Sequence, residues 1–110
     1  MKTISIVLFS AAALAVSLSA HSAVDQAAAN KVLKDQGCTK CHSIDKSKKG
    51  PSYQKVAAKY KGKPDAEAAL TKQMTTGPKV KLDDGTEEEH KIFKGDEASM
   101  KNLIQFILSQ

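Results

Sequence analysis

Cys38-Thr39-Lys40-Cys41-His42 is the stretch that decides how this chain folds. Two cysteines in an exported chain would ordinarily suggest a disulfide. Here they are separated by two residues and followed at once by histidine, the C-x-x-C-H spacing of covalent c-type haem attachment. The spacing has a mechanical basis. Two thiols must reach the two vinyl groups on one edge of a porphyrin and form thioethers. The next residue must then fall under the iron, where an imidazole nitrogen can bind it. Cys38 and Cys41 are therefore the expected covalent anchors of one haem c, and His42 its proximal axial ligand. A thioredoxin-like dithiol needs a βαβ context, and this sequence reads as helical. A zinc site needs four well-placed ligands. Only Cys38, Cys41, His42 and His90 are available, and His42 is awkwardly adjacent to Cys41.

Working outward from the motif, the pattern is all-α. Asp25 to Gln36 predicts a first helix, with Ala28, Val32 and Gln36 on one face beside Ala29 and Leu33, and Gly37 as its stop. Ser52 to Lys61 predicts a second, with Tyr53, Val56, Ala57 and Tyr60 at helical spacing. Pro64-Asp65 opens a third, whose inward face is Ala66, Ala69, Leu70 and Met74, and Gly77-Pro78 ends it. The last helix starts near Asp96 as N-cap and runs to the terminus, with Met100, Leu103, Ile104 and Ile107 in one stripe and Phe106 and Leu108 on its flanks. Between them, residues 77–95 are polar and turn-rich, with Asp83-Asp84-Gly85 as a turn and no period-2 strand pattern. A connection of that length in a compact domain needs a reason.

The chain has 110 residues, enough for one small domain. Its first part lies outside that domain. Lys2, an apolar run from Ile4 to Ala20 and small residues at Ser22 and Ala23 make a secretory signal peptide over 1–23, cleaved after Ala20 or Ala23. An uncleaved membrane anchor is the alternative. The domain is then 24–110, exported to the periplasm, with no membrane insertion after cleavage. So short a chain, with 5% aromatic residues and no Trp, lacks hydrophobic mass, which a large apolar cofactor would supply.

All of the positive charge is lysine, and the formal net charge is +5. Nucleic-acid and phosphate sites favour arginine's planar fork, so no nucleic-acid role is expected. A lysine-rich face suits brief docking to acidic redox proteins. Lys40 should lie near the exposed haem edge, and Lys46, Lys48, Lys49, Lys55 and Lys59 could extend the rim, although most lysines serve solubility alone. A monomer is expected.

The residues around the motif resemble the short bacterial class I cytochromes c. The resemblance rests on the helix leading into Gly37-Cys38, on Lys49-Gly50-Pro51-Ser52-Tyr53, on Val56-Ala57-Ala58-Lys59-Tyr60 and on the ending Leu103 to Gln110. It implies the class I fold, about four helices wrapped around one covalently attached haem. It also implies that the carbonyl of Pro51 accepts from the free N–H of His42, fixing the tautomer and strengthening the donor.

One departure stands out. The family's usual distal methionine lies in the loop before the last helix, and this loop contains none. His90, in Glu87-Glu88-Glu89-His90-Lys91-Ile92-Phe93, sits about where that methionine would be and is the expected distal ligand. Met100 and Met74 are the alternatives, each with core packing as its ordinary role, and an open or water-bound iron is a further one. The expected function is one-electron transfer between protein partners, without enzymatic activity. The competing reading is a haem-based sensor or small-ligand binder whose distal residue is displaced. A peroxidase-like enzyme would need a distal acid–base residue that the sequence does not provide.

Overall fold

The computed structural model describes residues 23–110, so the signal peptide expected over 1–23 lies, but for Ala23, outside the described residues. Four helices follow one another, α1 (Gln26–Asp35), α2 (Tyr53–Tyr60), α3 (Ala66–Thr76) and α4 (Glu97–Leu108). A 3-10 turn over Cys38–Lys40 separates α1 from α2, and two short strands, β1 (Lys79–Lys81) and β2 (Glu87–Glu89), separate α3 from α4.

Each boundary has a chemical cause. The carboxylate of Asp25 accepts from the amide of Ala28 and starts α1; Asp96 accepts from Ser99 and starts α4. Ser52 caps α2 through the amide of Lys55 and is itself buried. Helix α1 ends where Gly37 takes φ +70, a left-handed conformation in which the chain turns directly into Cys38. Helix α4 is the axis of assembly and packs against α1, α2 and α3. Its Leu103, Ile104, Phe106 and Ile107 are buried with Ala29, Leu33, Tyr53 and Leu70 in one cluster. Full burial of an aliphatic side chain of this size stabilises by about 1.5–3 kcal/mol. The α1–α4 crossing is fixed at one end by a reciprocal pair of hydrogen bonds. The Asp25 amide donates to Asn102 Oδ1 (2.8 Å), and Asn102 Nδ2 donates to the Asp25 carbonyl (2.9 Å).

Two local expectations need correction. Ala28 is exposed, because the inward face of α1 is centred on Ala29 and Leu33, with Val32 and Gln36 half-buried beside them. The second correction is larger. Residues 77–95 are not all loop, since β1 and β2 pair antiparallel with Lys79 opposite Glu89, Val80 opposite Glu88 and Lys81 opposite Glu87. Opposite charges facing one another across the strands favour this register. The predicted Asp83-Asp84-Gly85 turn closes the hairpin, where Asp84 Oδ1 accepts from the amide and hydroxyl of Thr86 and Gly85 takes φ +86. Leu82, at the end of β1, is buried.

Candidate functional site: a cavity between two histidines

Cys38 opens the 3-10 turn that continues α1 and Cys41 caps its end, both half-buried and not joined to each other. Burial pushes the Cys38 thiol above its ordinary range, with the nearby Lys91 ammonium opposing. The loop after the motif is pinned at close intervals. The Gly50 amide donates to the Cys41 carbonyl (2.8 Å), Tyr53 to Ser43 (2.9 Å) and Gln54 to Ile44 (3.0 Å). Lys48 Nζ reaches back to the carbonyl of Thr39. These ties place Pro51 so that its carbonyl oxygen lies 2.7 Å from His42 Nδ1. Tyr53 stacks on the His42 ring with centroids 5.1 Å apart and planes 23° apart. Burial holds His42 below its ordinary pKa, although the Pro51 carbonyl opposes this. Neutral imidazole is the form that binds a metal. Burial also raises the Tyr53 phenol well above the tyrosine range, so it stays neutral against the ring.

His90 leaves the end of β2 on the opposite side of the same space. Its amide donates to the Pro78 carbonyl (2.9 Å), and its Nδ1 lies 2.9 Å from the carbonyl oxygen of Lys91. Both histidines thus place Nδ1 on a backbone carbonyl and leave Nε2 free. Their ring centroids are 6.2 Å apart and their planes cross at 50°.

The histidines belong to the wall of one cavity of about 650 Å³, well inside the size range of cofactor sites. Its apolar lining includes Leu33, Tyr53, Leu70, Leu82, Leu103 and Ile107, and both cysteines lie on it. Apolar walls, two thiols on one edge and an imidazole held neutral fit a haem c bound at this place. Met74 lines the cavity, whereas Met100 packs against the helical core and takes no part in the wall. Lys40, Lys49, Lys55 and Lys59 are on the cavity's border; Lys46 and Lys48 are not. The zinc alternative finds no ligand set, because among the described residues no three His, Cys, Asp or Glu side chains group around one point.

Three residues that the sequence did not single out shape this site. Gly50 approaches the His42 ring so closely that a Cβ would lie 2.7 Å from Cε1. Lys91 supplies the carbonyl behind His90. Gln36 reaches across to Lys94 with both ends of its amide. Their partners are distant in sequence or are backbone atoms, and neither leaves a spacing pattern.

A small domain of four helices and one short hairpin that presents a C-x-x-C-H turn and an opposed histidine to one apolar cavity has the features of a haem site. Comparison with known proteins agrees. The cytochrome c family model matches residues 26–110, and the chain belongs to the cytochrome c family. It is similar to the class 1 cytochrome MtoD of Sideroxydans lithotrophicus ES-1, with 52% identity and a TM-score of 0.77, over 79% of this chain and 97% of that one. Wild-type cytochrome c552 of Nitrosomonas europaea matches at 25% identity and a TM-score of 0.60, over 73% and 96% of the two chains. Cytochrome c-551 of Pseudomonas aeruginosa is 44% identical over 46 residues, 42% of this chain and 44% of that one. Cytochrome c-551 of Pseudomonas denitrificans is 41% identical over 49 residues, 44% and 60% of the two chains. The chain therefore spans about half the length of the curated relatives it matches. Its fold is that of a class I cytochrome c, and its cofactor is covalently bound haem c.

Proposed function

We propose that the protein is a periplasmic one-electron carrier whose haem is attached through Cys38 and Cys41 and ligated axially by His42 and His90. The observation that carries this reading is the 6.2 Å separation of the two imidazole centroids across the cavity. A first-row metal–imidazole bond is about 2.0–2.1 Å, which places each ring centre about 3 Å from the metal and two facing rings about 6 Å apart. Hydrogen-bonded Nδ1 atoms on both rings support it further, since they leave each Nε2 as the donor atom.

Bound haem supplies a one-electron couple. The residues do the rest. Pro51 and Lys91 fix the tautomers through their carbonyls, Tyr53 holds the proximal ring in plane, and the aliphatic wall keeps water from the centre. Two protein ligands leave no position for a substrate, consistent with a carrier rather than an enzyme. Lys40, Lys49, Lys55 and Lys59 border the cavity and offer positive charge to acidic redox partners. Export rests on the sequence pattern of residues 1–23. The relatives are cytochromes c, and none of them favours the ligand-sensing alternative.

The test is the ferric optical spectrum and reduction potential of the wild type and His90→Ala. With two imidazoles, the weak long-wavelength sulfur-to-iron band is absent, and the potential lies below that of a methionine-ligated relative. His90→Ala changes both spectrum and potential. A sulfur band in the wild type that survives His90→Ala overturns the ligand assignment.

A further inference from the structure

The segment from His90 to Lys94 has no regular secondary structure of its own, yet the proposed distal ligand stands at its head. Five contacts hold it in place. Two are backbone to backbone, from His90 to Pro78 and from Phe93 to Met74 (2.8 Å). The other three converge on one residue. Gln36 Nε2 donates to the Lys94 carbonyl (2.6 Å), and the Lys94 amide donates to Gln36 Oε1 (2.9 Å). Lys91 Nζ adds a third tie, to the Gln36 carbonyl (3.3 Å). Gln36 caps the C-terminal end of α1, two residues before Cys38. The Gln36 side chain, with Lys91 reaching its backbone, therefore joins the wall that carries the haem-attachment cysteines to the segment that carries His90.

We propose that Gln36 is a positioning residue, a latch that keeps His90 in its ligating position and sets how readily the distal side opens. The inference rests on the reading of His90 as the distal ligand. Its physical basis is that a carboxamide presents one donor and one acceptor in a plane, matching the N–H and C=O of a single residue as a neighbouring strand would. Without it, the Lys94 amide and carbonyl must find water, and the segment is held only by its backbone bonds to Pro78 and Met74 and by the long Lys91 tie to the Gln36 backbone carbonyl. Loss of two such hydrogen bonds shifts a local opening equilibrium by about ten- to a hundredfold.

The molecule contains its own control. Asn102 makes the same reciprocal amide clamp, on Asp25, and that clamp joins α1 to α4 away from the distal segment. The experiment uses holoprotein of wild type, Gln36→Leu, Gln36→Glu, Asn102→Leu and His90→Ala. Two readouts are taken from ferrous protein, the rate of carbon monoxide binding and the exchange of the Phe93 and Lys94 amide hydrogens. Gln36→Leu should accelerate both by about ten- to a hundredfold. Gln36→Glu keeps the acceptor for the Lys94 amide and should fall between, and it carries the test if the leucine variant does not fold. Asn102→Leu should lower the melting temperature but leave carbon monoxide binding at the wild-type rate. Equal rates in the Gln36 and Asn102 variants overturn the latch while fast binding by His90→Ala keeps the ligand assignment intact. If His90→Ala binds carbon monoxide no faster than the wild type, the ligand assignment fails, and the latch with it.

Discussion

Gly50→Ala tests how tightly the proximal side is built. An alanine Cβ there would lie 2.7 Å from Cε1 and 3.1 Å from Nδ1 of His42, and 3.2 Å from the Cys41 carbonyl oxygen. Ordinary contact begins near 3.4 Å, so the ring must retreat by about 0.7 Å or the backbone must give way. Neither is free to move. The ring is held by the Pro51 carbonyl and the Tyr53 stack, and Gly50 donates to Cys41 and accepts from Lys48. Overpacking of this kind costs about 1–3 kcal/mol. Gly50 has no positive φ, so alanine also restricts the unfolded chain and returns about 0.4–1 kcal/mol. Mid-range values leave a net loss of about 1.3 kcal/mol, or roughly 5–10 °C in the melting temperature of a domain this size. Thermal unfolding of ferric holoprotein, followed by circular dichroism, measures it, and the absorption spectrum reports strain on the proximal bond. Gly62→Ala separates local strain from site strain. That glycine has φ +74 with nothing within 4 Å of its Cβ position, so it loses stability with an unchanged spectrum. A Gly50→Ala protein that melts within roughly 2 °C of wild type with an unaltered spectrum refutes the reasoning.

Two other measurements bear on separate parts of the molecule. Hydrogen bonds from Ser99, its hydroxyl and its amide, hold the Asp96 carboxyl below the ordinary carboxylate range. A depressed folded pKa gives stability that is complete above the unfolded value and is lost as pH falls through the folded one. Acid unfolding of wild type should therefore be steeper than that of Asp96→Asn in that window, and superimposable acid limbs would show that the cap does not titrate. If the lysines bordering the cavity guide docking, electron exchange with an acidic redox protein should slow as ionic strength rises from 0.01 to about 0.1 M, where the screening length shrinks from about 30 to 10 Å. Lys40→Gln with Lys59→Gln should flatten that dependence; rates indifferent to salt count against the surface.

The helical part of the fold was legible because its signals are local. Asp25, Ser52 and Asp96 are caps within three residues of the amides they bind, and the stripe in α4 is a 3.6-residue period. The face of α1 was read one position off, since which of two adjacent alanines faces inward depends on where α4 lies. The hairpin was missed for a different reason. Lys79-Val80-Lys81 and Glu87-Glu88-Glu89 have almost none of the β-branched and aromatic character of strands, and the opposite charges that favour their register come to face one another only after the chain has turned. Its turn was visible because Asp-Gly chemistry is local. The motif likewise announced its own chemistry through spacing alone. Gln36 was visible only as a position on the face of α1, because an amide that binds backbone 58 residues away leaves no pattern in sequence.

The hairpin has a consequence for how such a centre could be altered. The stretch from Pro78 to Lys94 follows directly on α3, is tied down at its far end where Phe93 binds Met74 and Lys94 binds Gln36, and its strands hold together through their own antiparallel backbone pairing. The residue that faces His42 is thus carried by a cassette outside the four-helix framework. If His90 holds the iron, exchanging that cassette for one of equal span that keeps Leu82 and Phe93 but offers a different donor atom would retune the iron while Leu103, Ile104 and their neighbours kept the same packing. The side chain that faces His42 and the packing of the helical scaffold are, in this architecture, nearly separate variables.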